Sequence, residues 1–218
     1  MNQRQPLAVA ITGHRPNRMH IGQAAVARRL CWVLAALGAG ARQADDGRPV
    51  AVSALAEGSD RMFAAAALDL DYDLRVLLPF ASPDYETTFG DPATTAVYRD
   101  LLARAQTIRQ LPGDLADSKA AYEAVGRATV EAACILVTVW DGKGAAGRGG
   151  TPEIIAYALA RAMPVIWIDA AHRRLPLLIS MPTPSGAQTD SLTLLARSAR
   201  PLGRDHVQAL ARSVVRQT

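Results

Sequence analysis

Apolar residues in the first 169 positions fall into short runs separated by stretches of helical spacing, so the chain alternates strand, turn and helix. Residues 7–12 (LAVAIT), 50–53 (VAVS), 74–78 (LRVLL), 135–139 (ILVTV) and 165–168 (VIWI) are apolar at nearly every position. A strand with one wet face would alternate apolar and polar residues, so these continuous runs predict strands covered on both faces. Helical spacing predicts helices over 22–37, closed by Gly38 and Gly40, and over 59–68, 93–105, 119–132 and 152–161. Residues 107–111 read as a short edge strand. The alternation gives an α/β class: a Rossmann-like, doubly wound, mainly parallel sheet with helices on both faces. Beyond Asp169 the pattern decays, with a strand expected within LPLLI (175–179) and a closing helix over 205–215. The chain reads as one domain over 1–218, with its core at about 6–169 and a C-terminal extension at about 170–218.

Composition narrows the class. Fifty per cent hydrophobic and 20% charged residues suit a packed core and exclude a disordered chain. No run approaches the ~18 uninterrupted apolar residues of a membrane span. The polar start MNQRQ passes into a strand without a secretory signal's long apolar region, so a soluble cytoplasmic protein with no membrane partner is expected. Cys31 and Cys134 sit in apolar runs and read as buried free thiols without metal or disulfide spacing, so no metal site and no cofactor are expected. The net charge of +4 is unevenly placed: residues 170–218 carry seven arginines against Asp190 and Asp205, and the rest carries 17 basic and 18 acidic side chains. Basicity confined to a tail is weak support for a nucleic-acid partner. The alanine-rich helices are compatible with a homo-oligomer.

In an open parallel sheet, ligands bind where strand C-termini meet helix N-termini, because backbone N–H groups and the helix dipole converge there. Four loops therefore matter. After the first strand stands Thr12-Gly13-His14-Arg15, in which Gly13 lets the backbone approach a ligand and the Arg15 fork suits phosphate or carboxylate. His14 offers acid, base or donor chemistry. After the second stands Ser53-Ala54-Leu55-Ala56-Glu57-Gly58-Ser59-Asp60. Gly58, Ser59 and Asp60 make a helix start, and Glu57 is placed to accept from ribose hydroxyls. After the ILVTV strand, residues 140–150 hold five glycines in eleven positions, and Asp141 opens this loop. It leads into Thr151, read as an N-cap, then Pro152 and Glu153, so the amides of Gly149, Gly150 and Thr151 form a phosphate cradle. It is neither a P-loop nor a dinucleotide fingerprint. The fourth loop, residues 79–92, places Tyr85 and Phe89 either to stack on a base or to cover the sheet edge.

The order of Gly13-His14-Arg15, the Ser53 to Asp60 segment and Gly149-Gly150-Thr151-Pro152-Glu153 resembles the SLOG superfamily over about residues 6–169. That superfamily includes the Lonely Guy phosphoribohydrolases and the DNA-processing protein A group, and the GHR opening looks like its bacterial sensory branch. The resemblance implies a Rossmann-like fold and a pocket for a nucleotide or nucleotide derivative, its phosphate at the Gly-Gly-Thr helix start. Lonely Guy enzymes place a catalytic Glu three residues after that Thr and an Arg on the preceding helix. Here those positions fall on Ile154 and near Val125; the carboxylate is one residue early at Glu153, and Arg127 is turned by about 200° from Val125. The departure favours a ligand-binding sensor using Gly13, His14, Arg15, Ser53, Glu57, Gly58, Asp60, Asp141, Gly149, Gly150, Thr151 and Glu153. The alternatives are an N-glycosidic hydrolase of nucleoside monophosphates with Glu153 as catalytic carboxylate, and a DNA-binding protein supported by the basic tail.

Overall fold

The computed structural model describes residues 5–44, 47–144, 150–179 and 199–215. One eight-stranded sheet organises them. It comprises β1 (Ala8–Gly13), β2 (Val50–Ser53), β3 (Asp73–Leu78), β4 (Thr107–Gln110), β5 (Ile135–Trp140), β6 (Val165–Asp169), β7 (Leu177–Ile179) and β8 (Arg200–Pro201), in the order β4-β3-β2-β1-β5-β6-β7-β8. β1 to β6 are parallel, while β7 and β8 each pair antiparallel with the strand before them. The register sets Ala10 against Val52 on one side and Leu136 on the other. The chain winds outward from β1 to β4, returns, and winds the other way from β5, so the reversal lies between β1 and β5.

Both faces are buried, as the continuous apolar runs require. Val9, Ile11, Val76, Val137 and Ile168 pack with α1 (Gln23–Gln43), α2 (Ser59–Asp69) and α4 (Pro92–Ala103), and with α7 (Arg204–Val215) outside α1. Val52, Leu136, Trp140 and Trp167 pack with α5 (Ser118–Glu131) and α6 (Thr151–Ala160). This is the expected α/β Rossmann-like architecture.

Three local expectations are corrected and one, the loop over 79–92, is refined. Gly38 and Gly40 do not end α1, which runs on to Gln43 because both glycines serve packing. A Cβ on Gly40 would stand 2.5 Å from the Gln208 carbonyl oxygen of α7, and one on Gly38 3.2 Å from the Tyr72 hydroxyl. Cys31 is exposed and Cys134 half-buried. The apolar run around Cys31 is a helix, and its buried stripe of Val26, Leu30, Val33, Leu34 and Leu37 leaves position 31 on the outer side. The loop over 79–92 holds a single helical turn, α3 (Ser82–Glu86). Finally, Gly150 rather than Thr151 is the N-cap of α6, which puts Thr151 and Pro152 at its first two positions. By length and composition α1 would suffice to cross a membrane, but that same stripe is buried against the fold, which is also the pattern of a core helix.

Candidate functional site

The winding reverses between β1 and β5, and a cavity of about 420 Å³ opens beyond their paired C-terminal ends. Its floor is made by close backbone approach. A Cβ on Gly13 would lie 2.6 Å from Ser59 Oγ and 2.8 Å from the Val139 carbonyl oxygen, so only glycine lets β1, β5 and the start of α2 meet. His14 N donates to Val139 O at 2.9 Å, and Ser59 N donates to His14 O at 3.3 Å. Gly58, at φ +96°, packs from below; a Cβ there would stand 2.7 Å from His14 O.

A charged cluster stands on this floor. Asp141 Oδ2 lies 2.6 Å from Arg18 Nη2, and its Oδ1 lies 3.0 Å from His14 Nε2 and accepts from Lys143 N at 3.1 Å. Burial by itself would raise the carboxyl, but the His14 ring, the Arg18 guanidinium and the Lys143 amide outweigh it and hold Asp141 at about 2. Burial pushes the His14 imidazole below 6.5 despite the Asp141 carboxylate beside it. The ring is therefore neutral at pH 7, its Nε2 in contact with Asp141 but without an aligned hydrogen bond, and Arg18 is the full ionic partner.

The loop between β2 and α2 forms a second wall. Leu55 is left-handed at φ 55°, strained for a residue with a Cβ. Its N–H donates to Ser53 Oγ at 3.0 Å, and its carbonyl accepts from Arg61 Nε at 2.9 Å. Ala54 and Ala56, on either side, turn their amides toward the Asp60 carboxyl. Burial, opposed by those amides, pushes Asp60 up to about 7. Arg61 also donates to Thr94 O at 2.6 Å and stacks at 4.1 Å on the Phe89 ring, tying this loop to α4 and to the segment between α3 and α4. Beside Asp60, Tyr85 of α3 is buried in edge contacts with Phe80, Phe89 and Tyr98 at 5.0–5.8 Å.

The remaining walls come from α5 and α6. Gly150 has extended backbone and, among the described residues, no side chain caps it. Pro152 has no N–H and the Glu153 amide donates to Gly150 O at 3.0 Å, so the Gly150 and Thr151 amides are the ones this helix start brings to the cavity wall. Tyr122, Val125, Gly126 and Thr129 of α5 line the opposite side, with Ile154 of α6 packed on Gly126.

Of the expected residues, Gly13, His14, Arg15, Asp60, Gly150 and Thr151 line this one cavity. Asp141 stands behind it through His14 and Arg18, whereas Ser53 and Gly58 hold the loops from beneath. Glu57 does not line it: its Oε1 accepts from Gly90 N at 3.0 Å and its Oε2 lies 3.5 Å from Arg15. Glu153 is exposed on α6, and Ile154 occupies the lining position instead. Gly149 lies outside the described residues. Phe89 is taken by Arg61, and of the two loop aromatics Tyr85 reaches the cavity. Arg18 and the α5 wall were missed by sequence reasoning; Gly126, a glycine inside a helix, was the available signal. Among the described residues, no group of three or more His, Cys, Asp or Glu could hold a metal ion.

Among solved structures, DNA processing protein A from Helicobacter pylori, which binds single-stranded DNA, is similar at 18% identity and a TM-score of 0.53, over 97% of this chain and 81% of that one. DNA processing protein A from Streptococcus pneumoniae is similar at 15% identity and a TM-score of 0.54, over 94% of this chain and 61% of that one. The chain shares its fold with the matched part of both DNA processing protein A structures. It is the Rossmann-like fold that the SLOG resemblance implies, carried here by the β1–β5 reversal. No protein-family model matches the chain, and no curated protein does.

Proposed function

We propose that this chain binds a small phosphate-bearing, nucleotide-like ligand in the β1/β5 cavity and does not cleave it. The observation that carries the proposal is the meeting of the α6 N-terminus, at Gly150 and Thr151, with the Gly13-His14-Arg15 turn in one cavity. Exposed helix amides and the helix dipole favour an anion, and the volume lies within the 300–1,000 Å³ range of small-molecule sites. Arg15 and Arg18 on the rim supply positive charge, although Glu57 and Asp141 offset it, so the backbone of α6 is the main phosphate partner. The chemistry of N-glycosidic cleavage would need a carboxylate against the ribosyl cation, and Asp60, the carboxyl that lines the cavity among the described residues, stands on the β2–α2 wall and not on the α5–α6 side where the Lonely Guy pattern carries its pair. At the two positions where the Lonely Guy pattern carries Glu and Arg, Ile154 and Val125 form an apolar wall. Glu153, the nearest carboxylate in sequence, is on the outer side of the helix.

A thermal-shift series with nucleoside 5′-monophosphates tests the reading. A bound nucleotide at a hundredfold excess over Kd stabilises by ~2.7 kcal/mol, a clear rise in Tm. Gly150→Val, which puts a side chain at the phosphate, should abolish the rise while circular dichroism stays unchanged. Glu153→Gln should leave Kd within about tenfold, roughly 1.4 kcal/mol. Chromatography of the incubated nucleotide should show no free base. Release of base that Glu153→Gln eliminates would establish the hydrolase, and silence from every nucleotide would overturn the binding proposal.

A further inference from the structure

We propose that Asp60 is the group that reads the sugar of the bound ligand, making the cavity selective for ribonucleotides over forms lacking the 2′ and 3′ hydroxyls. The inference rests on the nucleotide reading of the same cavity.

The argument starts from which carboxylates can reach a ligand. Glu57 is spent on Gly90 and Arg15, Asp141 is engaged by Arg18, His14 and Lys143, and Glu153 is exposed on the far side of α6. Asp60 lines the cavity, and only 6% of its surface is exposed. Its carboxyl takes the amides of Ala54 and Ala56, which fix its position through the strained Leu55 turn. A carboxyl has about four lone-pair sites. The two amides and the Ser59 hydroxyl account for three of them, which leaves capacity for a further hydrogen bond from a sugar hydroxyl.

Placement supports the same assignment. Asp60 follows β2 and the Gly150-Thr151 phosphate site follows β5, with β1 between them in the sheet. Two strand spacings separate those strands, about 10 Å. An inorganic phosphate does not bridge that gap, whereas a nucleotide extends from its phosphate across its sugar toward the second wall. The Tyr85 ring beside Asp60 and the Tyr122 ring on α5 offer apolar faces against which sugar and base can lie. Hydroxyl recognition by a buried carboxyl is a strong discriminator, because the analogue without the hydroxyl leaves the acceptor unpaired in the bound state.

The experiment measures Kd by calorimetry for adenosine, guanosine, cytidine and uridine 5′-monophosphates and for their 2′-deoxy and 2′,3′-dideoxy counterparts. For the base that binds best, the wild-type chain should prefer the ribonucleotide over the dideoxy form by at least tenfold. Asp60→Ala should reduce that ratio to about one, and Asp60→Asn, which keeps one carbonyl acceptor, should leave an intermediate ratio. Equal binding of ribo and dideoxy forms by the wild-type chain would overturn the sugar-reading role and leave the phosphate site standing. A wild-type preference that survives unchanged in Asp60→Asn would overturn the assignment to Asp60, even where the alanine variant fails to fold. Failure of every nucleotide to bind would overturn the underlying nucleotide reading as well.

Discussion

Two buried carboxyls titrate in opposite directions, and each makes stability depend on pH with its own sign. Asp60 is raised on folding from 3.8 to about 7. Between those values the folded chain binds more protons than the unfolded one, so this group makes stability fall as pH rises from about 4 to about 7. Asp60→Asn abolishes the titration, and its urea midpoint should gain on wild type more at pH 8 than at pH 4.5. Asp141 is lowered from 3.8 to about 2, so it contributes stability above pH 4 that is lost as pH falls toward 2. Asp141→Asn should cost about 2 kcal/mol at pH 7, with the difference shrinking below pH 3. Equal pH slopes in wild type and variants would sink both assignments. Such roles were partly legible in the residue order. Glycine after a strand identified Gly13, because a backbone approach leaves a sequence signature. Which carboxylate faces inward did not show, since Glu57 and Asp60 sit three residues apart and only the left-handed turn at Leu55 decides between them.

At the level of elements, β1, β2, β3, β5 and β6 were readable to within a residue because double burial forces unbroken apolar runs, whereas the parallel edge strand β4 is exposed along its length. β7 falls within the strand expected at 175–179, but three residues are too short to carry a period that would show its antiparallel pairing with β6, and β8, of two residues, gave no signal. The end of α1 was misjudged for a different reason. Glycine stops a helix when nothing compensates its freedom, but at Gly40 the close approach of α7 does. Gly40→Ala would drive a Cβ to 2.5 Å from a backbone oxygen that cannot rotate away. It should cost 1–3 kcal/mol, about the usual cost of overpacking, and speed hydrogen exchange in α7 first. Gly38→Ala, at 3.2 Å from the Tyr72 hydroxyl, should cost less, since a few tenths of an ångström relieve the contact, at some expense to the Tyr72 hydrogen bond to Leu34 O, and alanine favours helix by up to about 1 kcal/mol. Equal costs at the two sites would show that α7 does not depend on that contact.

For the whole molecule, the open question is whether the excess positive charge serves the same ligand as the cavity. The net +4 comes from the region beyond residue 169, and Arg200 and Arg204 there are exposed on β8 and α7, elements beyond β6 in the sheet order. The cavity's own arginines are offset by Glu57 and Asp141. The two features predict different salt responses. A mononucleotide carries no condensed counterion atmosphere, so salt weakens it only by screening, over a Debye length of about 10 Å at 0.1 M. A single-stranded oligonucleotide held on surface arginines releases counterions, and its log affinity falls with log salt at about −0.7 per phosphate neutralised. Raising salt from 50 to 200 mM should therefore change the mononucleotide Kd by only a few fold and reduce oligodeoxynucleotide affinity far more steeply. Gly150→Val should abolish mononucleotide binding and leave the oligonucleotide's slope unaltered. Tight oligonucleotide binding that persists at 200 mM salt and is lost in Gly150→Val would place the strand itself in the cavity. The single-stranded DNA binding described for the Helicobacter pylori protein would then become the better guide to this chain.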